Sequence, residues 1–272
     1  MFISKQISSL QNDFVKQVVS LHERKGRKQS GLFLIEGHRE IERAAKFGWK
    51  LKELIFCSET LSAKKIKKLL PEKVLSEIEI IEVNKPVFEK LAYRDTGISL
   101  VATCVQKNLK LSDLSLKKNP LIVALEGLEK PGNVGAILRT ADAAGVDAVL
   151  ICNPLTDIYN PNIVRSSLGC LFTQNIAICN TDEAIDWLYE NQIQITATHL
   201  EGAIPYHHTD FGKPTCIAMG TESSGLTDKW REASTELIKI PMKGEADSLN
   251  VSTSAAIVIY EAVRQRIVNE LK

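Results

Sequence analysis

Short apolar runs alternate with amphipathic stretches along the whole chain. Near the start, "ISSLQNDFVKQVVSLHER" carries apolar residues at helical spacing and predicts an amphipathic helix. A strand follows in "LFLIEG", a helix in "REIERAAKFG", then strand "LKELIFC", helix "SAKKIKKLL", strand "IEIIEV", helix "KPVFEKLA" and strand "ISLVATCV". These residues form one α/β module over 1–105. The polar, lysine-rich "QKNLKLSDLSLKKNP" then reads as a linker over 106–119.

A second series starts with "LIVALEG" and occupies 120–272. The runs "VDAVLIC", "QNIAIC", "IQITAT", "TCIAMG" and "ELIKI" are apolar without alternation, as parallel strands buried on both faces are. Helical segments separate most of them, so the predicted architecture is an open, mostly parallel sheet with flanking helices. The chain shows no internal repeat.

Composition narrows this picture only a little. The 272 residues are 44% hydrophobic and 25% charged, enough apolar material for a sizeable core. The net charge of +1 excludes any argument for nucleic acid from bulk charge, so a local cluster must carry that case. None of the six cysteines pairs at CxxC spacing and several lie in apolar runs, which points to buried reduced thiols rather than disulfides or a metal site. No apolar run approaches the roughly 18 residues that span a bilayer, and the start lacks a signal-peptide apolar block. A cytoplasmic protein is the expectation.

Three stretches carry chemistry. In "ALEGLEKPGNVGAILRTADAAG" a strand ends, a Gly/Pro/Asn loop follows and a helix is predicted to begin near Val134. Gly132 and Gly135 match only part of a dinucleotide fingerprint. Arg139 stands alone on a helix of small and apolar residues and needs a carboxylate, a phosphate or solvent. In "CIAMGTESSGLTDKW" a strand ends at Gly220, Glu222 sits in a small-residue turn, and a helix is capped near Thr227. Gly220 and Ser223 are three apart, so the hydrolase elbow spacing is not met. In "IPMKGEADSLNVSTSAAIVIYE" the polar Ser248, Asn250 and Ser252 gather at a helix start, more than a well-capped core helix requires.

Together and in this order, "PGNVGAILRTA", "MGTESSGL" and "IPMKGEADSLNVSTSAAIVIYE" resemble motifs one, two and three of the SpoU/TrmH family of RNA 2′-O-ribose methyltransferases, within the SPOUT superfamily. The first hundred residues, through "ERKGRKQSGLFLIEGHREIERA" and "LKELIF", resemble the L30e-like substrate-binding domain of that family's ribosomal-RNA branch.

The resemblance implies a trefoil-knotted SPOUT-type catalytic domain over 120–272, an L30e-like α/β domain over 1–105, S-adenosylmethionine as cofactor, ribosomal RNA as substrate and a homodimer. It implies cofactor contacts from Thr198, Leu200, Met219, Gly220, Ile240, Met242 and Leu249. Arg139, Asn133, Glu222, Ser248 and Asn250 become the candidate catalytic residues, and no metal is called for. Arg24, Lys25, Arg27 and Lys28 form the local basic cluster suited to RNA phosphates. Three alternatives stay open at this point: a transfer-RNA methyltransferase, a non-catalytic RNA-binding or assembly factor of the same fold, and a nucleotide-dependent α/β enzyme using the "PGNVG" loop.

Overall fold

The computed structural model describes residues 3–93, 99–199, 202–221 and 224–270. The chain divides into two compact units, one of residues 1–107 with 157–173 and one of 108–156 with 174–272.

The first unit runs β1 (Lys5–Ile7), α1 (Asp13–Ser20), α2 (Arg24–Ser30), β2 (Leu32–Glu36), α3 (His38–Lys46), β3 (Leu51–Cys57), α4 (Ala63–Leu69), α5 (Glu72–Glu77), β4 (Glu79–Val83), α6 (Lys85–Leu91) and β5 (Leu100–Val105). Its sheet has the order β1-β4-β3-β5-β2, with β1, β4 and β3 parallel and β5 antiparallel to both its neighbours. Leu34, Ile55, Ile81 and Val101 from four strands pack with Val15 and Val18 of α1 and Val87 and Leu91 of α6.

The amphipathic stretch at the start is not one helix. Asn12 caps α1 by accepting from the Phe14 amide at 2.9 Å, and the chain turns at Leu21–Glu23 before α2. Gly26 allows this turn, because a Cβ there would lie 2.1 Å from the carbonyl oxygen of Ser20. The helical periodicity runs across a break that only the close approach of two backbones reveals. β1 is hidden in the sequence as well, being a three-residue edge strand with two polar positions.

The second unit begins with β6 (Leu121–Glu126), α7 (Pro131–Ala144) and β7 (Ala148–Cys152). The chain then contributes 157–173, with α8 (Pro161–Ser166), to the first unit. It resumes with β8 (Ile176–Cys179), α9 (Thr181–Glu190), β9 (Gln194–Thr198), β10 (Ile204–Pro205), β11 (Thr215–Met219), α10 (Asp228–Ala233), β12 (Glu236–Lys239) and α11 (Val251–Glu270). The seven strands are ordered β10-β12-β9-β11-β6-β7-β8 and every pairing is parallel. β6, β7 and β11 are buried along their full length, as their unbroken apolar runs predict. Ala184 and Leu188 of α9 and Trp230 of α10 pack with the strands in one core, while α11 packs on α7.

Two readings need correction. α7 starts at Pro131, not near Val134, since proline at the first helical position loses no intrahelical hydrogen bond. Gly132 and Asn133 are therefore helical, not loop residues. The lysine-rich stretch after β5 is not free chain: Leu111, Leu114 and Leu116 pack on the second unit's core, and Lys117 pairs with Asp147 at 2.9 Å.

All six cysteines are free and buried. Burial pushes the Cys104 thiol up to about 12. Contact with the Cys179 thiol, together with burial, raises Cys152, and burial raises Cys216. Among the described residues no cluster of His, Cys, Asp and Glu could hold a metal ion, and no helix is long and apolar enough to cross a membrane.

Candidate active site

Parallel pairing brings the carboxyl ends of β9, β11 and β12 to one edge of the sheet, and a cavity of about 490 Å³ opens there. In open α/β sheets this is the edge at which ligands bind. Thr198 ends β9, Met219 ends β11 and is followed by Gly220, and Ile240 and Met242 follow β12; all five line the cavity with Leu249. Six of the seven positions implied as cofactor contacts thus line one space. The seventh, Leu200, lies outside the described residues, as does Glu222.

The turn after β11 is built around two glycines. The Thr221 amide donates to the Gly225 carbonyl at 3.1 Å and the Gly225 amide returns a bond at 3.2 Å, closing the loop at its neck. A Cβ on Gly220 would lie 2.1 Å from the Gly225 carbonyl carbon and 2.4 Å from the Leu226 nitrogen. Only glycine lets the two backbones meet here. Gly225 itself sits at φ 68°, in the left-handed region.

The polar gathering before the last helix has two functions. Asn250 caps α11: its Oδ1 accepts from the Ser252 amide at 3.0 Å and from the Ser252 hydroxyl at 2.6 Å. Its Nδ2 donates to Oδ1 of Asn133 at 3.2 Å, joining the start of α11 to the first turn of α7. Ser248 lines the cavity. Arg139 lies two turns along α7 from Asn133, on a helix whose opposite face buries Val134, Ile137, Leu138 and Ala141. Its side chain is exposed, and no partner for it is found among the described residues.

The basic cluster separates. Arg24, Lys25 and Lys28 are exposed on α2, while Arg27 is 2% exposed. Its Nε donates to Asp157 Oδ2 at 2.6 Å, and its Nη1 donates to the carbonyls of Leu21 and His22 at 2.8 Å each. Arg27 is corrected from phosphate contact to buried ion-pair partner, because a guanidinium buried among three internal acceptors is out of reach of an RNA phosphate.

Charged groups at the cavity escape a reading of the sequence. Arg231, Lys239 and Asp247 all line it. Lys239 and Asp247 directly precede the residues singled out, Ile240 and Ser248, and that adjacency is the available signal.

Residues 120–260 of the chain match the SpoU rRNA Methylase family, more than half of its length. The chain belongs to that family. Residues 12–102 match the MRM3-like substrate binding domain. Relatives similar to this chain include the 23S rRNA (guanosine(2553)-2′-O)-methyltransferase of Bacillus subtilis (strain 168), 29% identical over 94% of this chain and 98% of that protein. The 23S rRNA (uridine(2479)-2′-O)-methyltransferase of Streptomyces viridochromogenes is also 29% identical, over 97% of this chain and 93% of that one. Among SpoU-family folds of known structure, the AdoMet-bound rRNA methyltransferase from Sinorhizobium meliloti superposes with a TM-score of 0.88 at 32% identity, covering 95% of this chain and 97% of that one.

Proposed function

We propose that this chain is an S-adenosylmethionine-dependent 2′-O-ribose methyltransferase acting on 23S ribosomal RNA. The observation that carries the reading is the convergence of the three motif stretches: two line a single cavity, and the third is joined to it by the Asn133–Asn250 hydrogen bond. The cavity's size falls in the range of small-molecule and cofactor sites, and it mixes apolar walls with the polar Thr198 and Ser248 and with the backbone of a glycine turn. That donor set fits a molecule with an apolar-faced ring at one end and a charged tail at the other. Thr198, Met219, Gly220, Ile240, Met242 and Leu249 would hold it.

S-adenosylmethionine, when bound, supplies a methyl group on a sulfonium centre open to attack by a ribose 2′-oxygen. The remaining work falls to the chain. A guanidinium stays charged and cannot serve as a base, so Arg139 orients the 2′-hydroxyl and stabilises the negative charge that develops on it. Asn133 and Asn250 fix each other and hold the starts of α7 and α11 together beside the cavity. Ser248, on the cavity wall, completes the polar surface toward the substrate.

Domain roles follow the same reading: residues 1–105 recruit RNA as an L30e-like module, and 120–272 form the knotted methyltransferase domain. A homodimer belongs to the proposal too. It is supported by α11, which buries Val251, Ala255, Val258, Ile259 and Ala262 yet leaves Tyr260 49% and Ile267 52% exposed. A helix apolar on a second face has that face to cover. Six buried free thiols suit a reducing cytoplasm.

Replacing Arg24, Lys25 and Lys28 by glutamate should weaken RNA binding and flatten its salt dependence, by roughly 0.7–0.9 log units of slope for each phosphate no longer neutralised. Titration calorimetry with S-adenosylhomocysteine on the same protein should give the parent affinity. Unchanged RNA affinity and slope would remove α2 from the RNA surface, and a parent chain that binds no S-adenosylhomocysteine would remove the cofactor assignment.

A further inference from the structure

Glu126 closes the apolar run of β6, is 5% exposed, and has no place in the mechanism above. A carboxylate is rarely buried so deeply unless its acceptors are used, and here they are. Its Oε2 accepts from the Thr227 amide at 2.8 Å, and its Oε1 accepts from the Thr227 hydroxyl at 3.0 Å and from the Thr181 hydroxyl. The Thr181 hydroxyl in turn accepts from Nδ2 of Asn153 at 2.8 Å. Every hydrogen bond in this chain of groups points toward Glu126.

What those bonds connect is informative. Thr227 is the N-cap of α10 and the exit of the loop that begins at Gly220 and walls the cavity through Ser224, Gly225 and Leu226. The loop's entry is fixed by β11, paired to β6 with Met219 opposite Leu125. Its neck is fixed by the Thr221–Gly225 bridge. Its exit is fixed by Glu126. The Thr227 side chain makes no cap hydrogen bond to α10, so its hydroxyl is committed to Glu126 instead. The next residue after Glu126, Gly127, sits at φ 64°, and a Cβ there would come within 3.3 Å of Thr221 Cγ2. The start of the β6-to-α7 connection therefore abuts the same loop.

We propose that Glu126 is a positioning residue for the cofactor: it pins Thr227 to the end of β6, which holds the adjoining wall residues Ser224, Gly225 and Leu226 in binding register. The proposal rests on the cavity being the S-adenosylmethionine site. A carboxylate meets the three donors with acceptors alone. A carboxamide would have to donate toward the two threonine hydroxyls, which would then have to turn their own protons to other acceptors.

The test measures S-adenosylhomocysteine binding by calorimetry, and KM and kcat for methyl transfer, on the full-length parent, Glu126→Gln and Thr227→Val, well below each protein's Tm. Hydrogen bonds to a charged group are worth enough that about a tenfold or greater rise in dissociation constant is expected for Glu126→Gln. Thr227→Val should raise it less, the double variant should add little to Glu126→Gln alone, and KM for the cofactor should rise more than kcat falls. Thr227→Val removes a hydroxyl without placing a new polar group, so it reads the same contact if Glu126→Gln does not fold. Variants with a lowered Tm but parent affinity and parent KM would overturn the proposal and leave Glu126 a purely structural group. A parent that binds no S-adenosylhomocysteine would overturn the cofactor assignment and this inference together.

Discussion

Arg139→Ala should methylate RNA about 100–1000-fold more slowly than the parent in single-turnover reactions at saturating cofactor and RNA, the usual loss for one preorganised donor to a developing oxyanion. The position of the residue sharpens what else should happen. Arg139 is exposed on α7, with no partner among the described residues, so its removal breaks no internal ion pair found there. It is also absent from the residues that line the cavity. Melting temperature and S-adenosylhomocysteine affinity should therefore stay near parent values while turnover collapses. Arg139→Lys keeps the charge and loses the planar fork. If geometry governs, lysine restores little; if charge alone governs, it restores much. A stable Arg139→Ala protein that turns over at the parent rate would take this residue out of the mechanism.

Arg27→Met should cost about 3–5 kcal/mol of stability, the range for removing one member of a buried ion pair. Three acceptors lose their donor at once: the Asp157 carboxylate and the carbonyls of Leu21 and His22. The Arg27 side chain is 2% exposed and that of Asp157 16%, so water replaces little of what is lost. Methionine retains much of the buried stem's volume, which separates the charge effect from a cavity. Thermal unfolding should show a transition lowered on the order of 10 °C, judged from the entropy of unfolding of a domain this size. Arg24→Met, at the exposed start of the same helix, should leave the transition within about 1–2 °C of the parent, the scale of an ordinary surface substitution. An Arg27→Met protein with parent stability and weakened RNA binding would return Arg27 to the phosphate-binding set.

The contrast between Arg24 and Arg27 shows where the sequence is legible and where it is not. Fully buried parallel strands such as "LIVALEG" and "TCIAMG" announce themselves, because both of their faces meet apolar groups and no polar position interrupts the run. The proposed cofactor wall is legible through the family resemblance, and most of its residues sit at or just after strand ends, which parallel pairing gathers at one edge of the sheet. Burial of one arginine in a cluster of four basic residues is not legible. It depends on Asp157, which is 130 residues away. The same long reach hides the grouping of residues 157–173 with the first unit, where the rings of Phe172 and Tyr159 pack against those of Phe33 and Trp49. Nothing local in "DIYNPNIVRSSLGCLFT" distinguishes a partner in the second unit from one in the first. Glu126 escapes notice because a glutamate ending a strand looks solvent-bound until the two threonines it serves are placed.

The most direct measurement of the central claim is transfer of a labelled methyl group from S-adenosylmethionine to 23S ribosomal RNA isolated from cells lacking this protein, followed by alkaline hydrolysis. Alkali cleaves RNA through attack of the 2′-oxygen on the adjacent phosphate, so a 2′-O-methylated nucleotide leaves one linkage uncut. The account predicts label retained in a single alkali-resistant dinucleotide, with the parent protein active and Arg139→Ala reduced about 100–1000-fold. Label appearing only in alkali-labile mononucleotides would place the methyl on a base, and no transfer by a chain that binds the cofactor and the RNA would contradict catalysis altogether.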